Sequence, residues 1–156
     1  MANFVYLSKE RLHELEQELK ELKTNGRKHM AERIAEARAH GDLSENAEYD
    51  AAKDEQGLLE LKISKLETML SKAQIIDISS MPRDQIHILS AVEVKNLNNS
   101  KTFKYILVSP EEADLQKGKI ALTSPVGQAL MGKKVGDIVQ AKVPAGIIKF
   151  EILNIE

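Results

Sequence analysis

The chain has no cysteine and no tryptophan among its 156 residues. Without thiols it forms neither a disulfide nor a thiolate metal centre, which suits the reducing cytoplasm. Aromatic side chains are scarce as well, and the second half of the chain holds only Phe103, Tyr105 and Phe150. That is a thin supply for an aromatic proline pocket. No apolar run approaches the roughly 20 residues that cross a bilayer. Met1 to Leu7 is a short apolar start without the basic stretch of an export signal, so a cytoplasmic location is expected. An excess of one charge is also missing: 22 Lys and Arg stand against 24 Asp and Glu, a formal net charge of −2. No global basic field therefore attracts nucleic acid, and any such contact must be local or supplied through a partner.

What the chain does have is helical periodicity. Leu12, Leu15, Leu19 and Leu22 step by three and four, as a coiled-coil seam does, and Met30, Ile34 and Ala37 continue it after an offset at Gly26. The added four-residue step is a stutter, which locally unwinds a supercoil. A second seam runs through Leu59, Ile63, Leu66, Leu70 and Ala73, with Ala47 and Ala51 nearer the turn, where small side chains let two helices approach closely. About five residues separate the two runs, a connection that favours an antiparallel helical hairpin. Ser8 is the expected N-cap of the first helix and Gly41 the residue that ends it. From Ser8 to His40 such a helix extends about 50 Å at 1.5 Å per residue. Two helices have little core of their own, so the base of this hairpin, residues 1–75, needs a second domain.

That domain is expected over residues 76–156. Met81-Pro82-Arg83-Asp84 reads as a linker, after which the apolar period changes from helical to alternating. Val92 to Leu97 and Thr102 to Val108 predict a β-hairpin around Asn98-Asn99-Ser100, with the asparagines tolerating positive φ. A short turn from Ser109, a brief strand from Lys119 to Leu122, and a short helix from Pro125 entered through Ser124 and closed by Gly132 follow. Ile138 to Val143 and Ile147 to Ile155 complete the pattern as a last hairpin. The fold class is α+β: a helical hairpin followed by a small antiparallel-sheet domain with one short helix.

The chemistry concentrates between the two helical runs, in Gly41-Asp42-Leu43-Ser44-Glu45-Asn46-Ala47-Glu48-Tyr49. Asp42 and Glu45 have the spacing of a capping box, in which Asp42 caps the second helix and Glu45 reaches back to it. The same two carboxylates suit a hard cation such as Mg²⁺, adding ligands where another site holds it weakly. Neither reading is excluded by spacing alone. His13, His29, His40 and His87 share no metal spacing. Gly127, Gly132 and Gly136 form no phosphate loop and are expected in turns, and Ser124 lacks a His/Asp partner and reads as an N-cap.

The nine-residue segment, with Ala51-Ala52-Lys53 after it, resembles the tip of the bacterial Gre transcript-cleavage factors, of the GreA type. Ser124-Pro125-Val126-Gly127, Ala129-Leu130, Gly132-Lys133 and Gly136-Asp137 resemble that family's second signature. The likeness covers essentially the whole chain, departing at Lys28, where many members have proline, and at Asp50, where a basic residue or histidine is common. It implies a factor that binds bacterial RNA polymerase through an FKBP-like second domain and inserts its hairpin through the secondary channel. There it stimulates the polymerase's own Mg²⁺-dependent cleavage of the backtracked RNA 3′ end. On that reading the protein is not itself an enzyme; Asp42 and Glu45 are the catalytic residues, ligating Mg²⁺ only jointly with the polymerase. Tyr49 is then a candidate to stack on an RNA base, and Lys53, Arg33 and Arg38 to meet phosphates. Equally, Tyr49 closes the seam, Lys53 pairs with Asp50 or Asp54, and Arg27, Lys28, Arg33 and Arg38 join Glu32 and Glu36 in a solvated ion-pair face. Two other functions stay open: a channel-binding regulator without cleavage stimulation, and an FKBP-like chaperone or prolyl isomerase.

Overall fold

The computed structural model describes residues 4–41 and 46–156. By contacts the described chain divides into two compact units, one of residues 10–73 and the other of residues 4–9 with 74–156. The first is the helical hairpin. α1 (Lys9–Glu21) begins directly after Ser8 and runs through a π-helical turn (Leu22–Gly26) into α2 (Arg27–Ala39). The turn sits where the sequence steps 22, 26, 30, 34. In an α-helix at 100° per residue, each such step rotates the apolar stripe by about 40°. A π turn holds more residues per revolution and returns the stripe to the partner helix. Its marks are the Arg27 amide donating to the Leu22 carbonyl and the Thr24 hydroxyl donating to the Lys20 carbonyl at 2.8 Å. Gly26 faces the partner so closely that an added Cβ would meet Leu59 Cδ1 at 3.4 Å.

α3 (Ala47–Ser71) returns along this face. Leu15, Met30, Ile34 and Ala37 from one side and Ala52, Ile63 and Leu66 from the other are buried. Ala52, not Ala47 or Ala51, is the small seam residue near the turn. The expected alanines are exposed, because the seam continues back from Leu59 by steps of three and four through Gln56 to Ala52. Gly41, at φ +121°, follows the C-cap of α2.

The second unit is built on one main sheet. β3 (Ala91–Asn96) and β4 (Lys101–Val108) form the expected hairpin. Its turn differs in detail: Ser100 takes the positive φ, +62°, while Asn96 and Asn99 accept the amides of Asn98 and Lys101 at 2.8 and 2.9 Å. β5 (Lys119–Ala121) pairs with β4 in parallel, so the sheet is mixed rather than wholly antiparallel. β6 (Ile138–Val143) and β7 (Gly146–Ile155) pair antiparallel, and β7 also pairs with β3. The inward residues Val92, Val94, Leu107, Ile120, Val139, Ala141, Phe150 and Ile152 make one core with Ile86 and Leu130, the last carried by α4 (Pro125–Leu130). β1 (Val5–Leu7) and β2 (Ala73–Ile75) form a separate two-stranded sheet. Neither was expected, since three residues are too few to show a period.

Candidate functional site

Asp42 and Glu45 lie outside the described residues, and the site can be built up to its two edges. On one edge the last turn of α2 presents Ala37, Arg38 and His40; on the other the first turn of α3 presents Asn46, Glu48 and Tyr49. Asn46, extended at φ −90° and ψ 98°, is the N-cap of α3. Its Oδ1 accepts the Tyr49 amide at 3.1 Å, and its Nδ2 donates to the Ala37 carbonyl at 2.6 Å. The expectation that Asp42 caps this helix is thereby corrected. The helix starts four residues later, and Asn caps as well as Asp does. The acids of the first turn, favoured by the helix dipole, are Glu48 and Asp50.

Two further links join the same turns. The Arg38 guanidinium lies 5.8 Å from the centroid of the half-buried Tyr49 ring, a cation–π contact. His40 Nε2 lies 3.2 Å from Glu48 Oε2. Tyr49 and Arg38 are thus brought together. Arg33 is paired with Glu55, and Lys53 bonds Gln56 at 2.9 Å rather than either neighbouring aspartate. An open groove of about 440 Å³ lies beside these links, lined by Arg33, Glu36, Ala37, Ala47, Glu48 and Ala51.

Farther along the hairpin the charges pair across the two helices. Arg27 grips Glu60 through two bonds, Nε to Oε1 at 2.9 Å and Nη2 to Oε2 at 3.0 Å, and Glu18 approaches Lys62 at 3.6 Å. The hydrogen bond from Arg27 holds the Glu60 carboxyl below its ordinary value, and Glu60 raises that of Arg27. Among the described residues no group of three or more His, Asp or Glu could hold a metal ion.

The second signature builds α4 and its exit. The Ser124 hydroxyl accepts the Gly127 amide at 3.1 Å and donates to the Ala121 carbonyl at 2.6 Å. Gly127 lies within α4 rather than in a turn, pressed against that carbonyl, whereas Gly132 and Gly136 adopt positive φ. Beside Ser124 a cavity of about 320 Å³ is lined by Leu115, Ile120, Pro125 and Val126, with Tyr105 as its one aromatic.

Residues 5–75 match the family model described as transcription elongation factor, N-terminal, and residues 81–156 match the model for the GreA/GreB C-terminal domain. The chain belongs to the GreA/GreB family of transcription elongation factors. It is 49% identical to the transcription elongation factor GreA of Chloroherpeton thalassium, covering 100% of this chain and 99% of the relative. It is 51% identical to GreA of Chlorobium phaeobacteroides, over 99% of this chain and 98% of that one. Among solved structures it is similar to GreA factor homolog 1 (Gfh1) of Thermus thermophilus, with 28% identity, 99% of both chains covered and a TM-score of 0.47. In this GreA/GreB family member, the links that Asn46, His40 and Glu48 make between the two turns were not read from the sequence. An Asn followed by an acid-rich first turn was the available signal for the cap; nothing marked its second bond. No helix among the described residues is long and apolar enough to cross a membrane.

Proposed function

We propose that this chain is a cytoplasmic co-catalyst of bacterial RNA polymerase. Residues 76–156 dock on the polymerase, and the hairpin enters the secondary channel. Asp42 and Glu45 then stimulate the polymerase's own cleavage of backtracked RNA 3′ ends, which rescues arrested complexes. The observation that carries this reading is the acidic segment set between two long helices, in a chain about half identical to GreA proteins over its whole length. Phosphodiester hydrolysis at a two-metal centre places one Mg²⁺ near the attacking water and one near the leaving oxygen. Asp42 and Glu45 would hold the more weakly bound ion jointly with the polymerase, and Glu45 would also orient the water. Two carboxylates alone make no complete centre, so the isolated protein hydrolyses no RNA.

Tyr49 is proposed to stack on an extruded base while Arg38, already on its ring, meets the adjacent phosphate. Arg33 and Lys53 become phosphate contacts by exchanging Glu55 and Gln56 for RNA. Glu55 is exposed and Gln56 only half-buried, so the exchange costs little.

The test is RNA cleavage by a backtracked elongation complex with and without the protein. Because Asn46 caps α3, Asp42→Asn and Glu45→Gln remove charge without removing that cap. Both should bind polymerase near the wild-type level and lose stimulation by about a hundredfold or more, the scale of losing a group that acts in the transition state. Binding by the wild type without any cleavage would point to the regulator that only occupies the channel. Wild-type rates in both variants would make the carboxylates structural.

A further inference from the structure

Helix ends leave carbonyls on one side and amides on the other without partners. Ala37 carries such a carbonyl at the end of α2, reached within its own helix only by the His40 amide at 3.2 Å, and Tyr49 such an amide at the start of α3. One carboxamide serves both, since Asn46 accepts from Tyr49 and donates to Ala37. Capping alone does not call for asparagine. Aspartate caps equally well and adds a negative charge that the helix N-terminus favours. What an ionised aspartate lacks is a donor, and facing the Ala37 carbonyl it would repel. Of the common capping residues, asparagine alone has donor and acceptor on separate atoms of one rigid group.

The other two links between these turns are weaker. His40 and Glu48 are both well exposed, where ion pairs contribute little, and the Arg38–Tyr49 contact is a single cation–π pair at an open surface. Asn46 is half-buried and its bond to Ala37 is short.

The geometry points to Asn46 as a positioning residue for stimulated cleavage: its amide ties the end of α2 to the start of α3 and so fixes the two points from which the acidic segment is presented. Asn46 touches neither RNA nor metal on this account. The inference depends on the proposed cleavage function, and the test separates the two.

The full-length N46D variant keeps the α3 cap, loses the donor and sets a negative charge against the Ala37 carbonyl. Its helicity and melting should match wild type, and the Tyr49 amide should keep its protection from hydrogen exchange. The His40 and Gly41 amides, at the released end of α2, should exchange faster. With backtracked polymerase, the half-saturating concentration should stay within about twofold, while the maximal cleavage rate falls about tenfold or more, as loss of orientation without loss of binding predicts. The Mg²⁺ concentration for half-maximal rate should rise, a shift that a purely structural role would not produce. N46A, lacking cap and link together, should lose Tyr49 protection as well.

Wild-type cleavage and Mg²⁺ dependence in N46D would overturn the inference. So would a fall in cleavage matched by equal losses of polymerase binding and helicity, which would mean the residue is only structural. If the wild type fails to stimulate cleavage, or Asp42→Asn retains it, the functional reading fails instead. Exchange at His40 and Gly41 then still decides whether Asn46 ties the helices, unchanged rates in N46D showing that it does not.

Discussion

A methyl group on Gly127 would lie 2.1 Å from the Ala121 carbonyl oxygen and 2.9 Å from Leu122 Cα, whereas one on Gly57, midway along α3, would meet nothing within 4 Å. The same substitution therefore has opposite signs at the two sites. Gly127→Ala forces backbone against backbone and should destabilise the second unit by about 3 kcal/mol or more. Gly57→Ala removes only the entropic cost of glycine in a helix and should stabilise the hairpin by about 1 kcal/mol. Denaturant titration of each variant, followed by helical and by sheet signals, checks both. An unfavourable Gly57→Ala would mean that α3 is not the continuous helix described. Neither sign is legible in the sequence, where Gly127 stands among turn-like neighbours and Gly57 in a helical run. What decides is the distance to atoms far along the chain. The cap shows the same limit: Asp42 and Asn46 are both good capping residues, and only the start of α3 distinguishes them.

Along an element, legibility depends on length. The long helices announce themselves by a seam repeated over many turns, and the stutter at Gly26 marks where the helix changes, although its π-helical form is not written in the spacing. β7 shows the opposite case. Strict alternation from Phe150 and Ile152 would place Asn154 inward and Ile155 outward. The register with β3 shifts between Glu93 and Val94, so that Ile155 comes to lie opposite Val92 and is buried. The extra residue reverses the face, and a bulge of this kind is set by the partner strand. The cross-helix charges give the hairpin a pH dependence with a determinate sign. Glu60 has its folded-state value lowered, chiefly by the hydrogen bond from Arg27. Its stabilising contribution is therefore complete above the unfolded carboxylate value, about 4.3, and is lost as pH falls through the lower folded value. Helix melting followed from pH 7 to pH 3 should show hairpin stability declining at the acid end. Glu60→Gln should show a shallower decline, and high salt should reduce the difference because the pair is exposed. An equally steep decline in Glu60→Gln would show that Arg27 and Glu60 do not pair in solution.

For the molecule as a whole, the sequence divides the work before it reveals how each part is built. A hairpin with a polar outside and an acidic end suits the reaching role proposed for it, while a core of eleven buried residues from Ile86 to Ile155 gives the second unit the rigidity that its proposed docking role needs. The sequence could not show that residues 4–9 belong to the second unit with residues 74–156, because β1 and β2 are only three residues each. Chain order and structural unit therefore differ at the N-terminus, and a truncation must respect both strands. Removing residues 76–156 leaves β1, β2 and the whole hairpin in the chain. If docking belongs to the second unit, this fragment should remain largely helical by circular dichroism yet compete poorly with the intact protein for polymerase, its affinity falling by about a hundredfold or more, as when most of an interface is lost. Stimulation should return in part at high fragment concentration, since the acidic segment and Asn46 are still present and only the local concentration supplied by docking is gone. Binding as tight as that of the intact chain would move the docking role to the hairpin. A helical fragment that binds weakly and never stimulates, even when saturating, would mean that the second unit orients the hairpin end as well as delivering it.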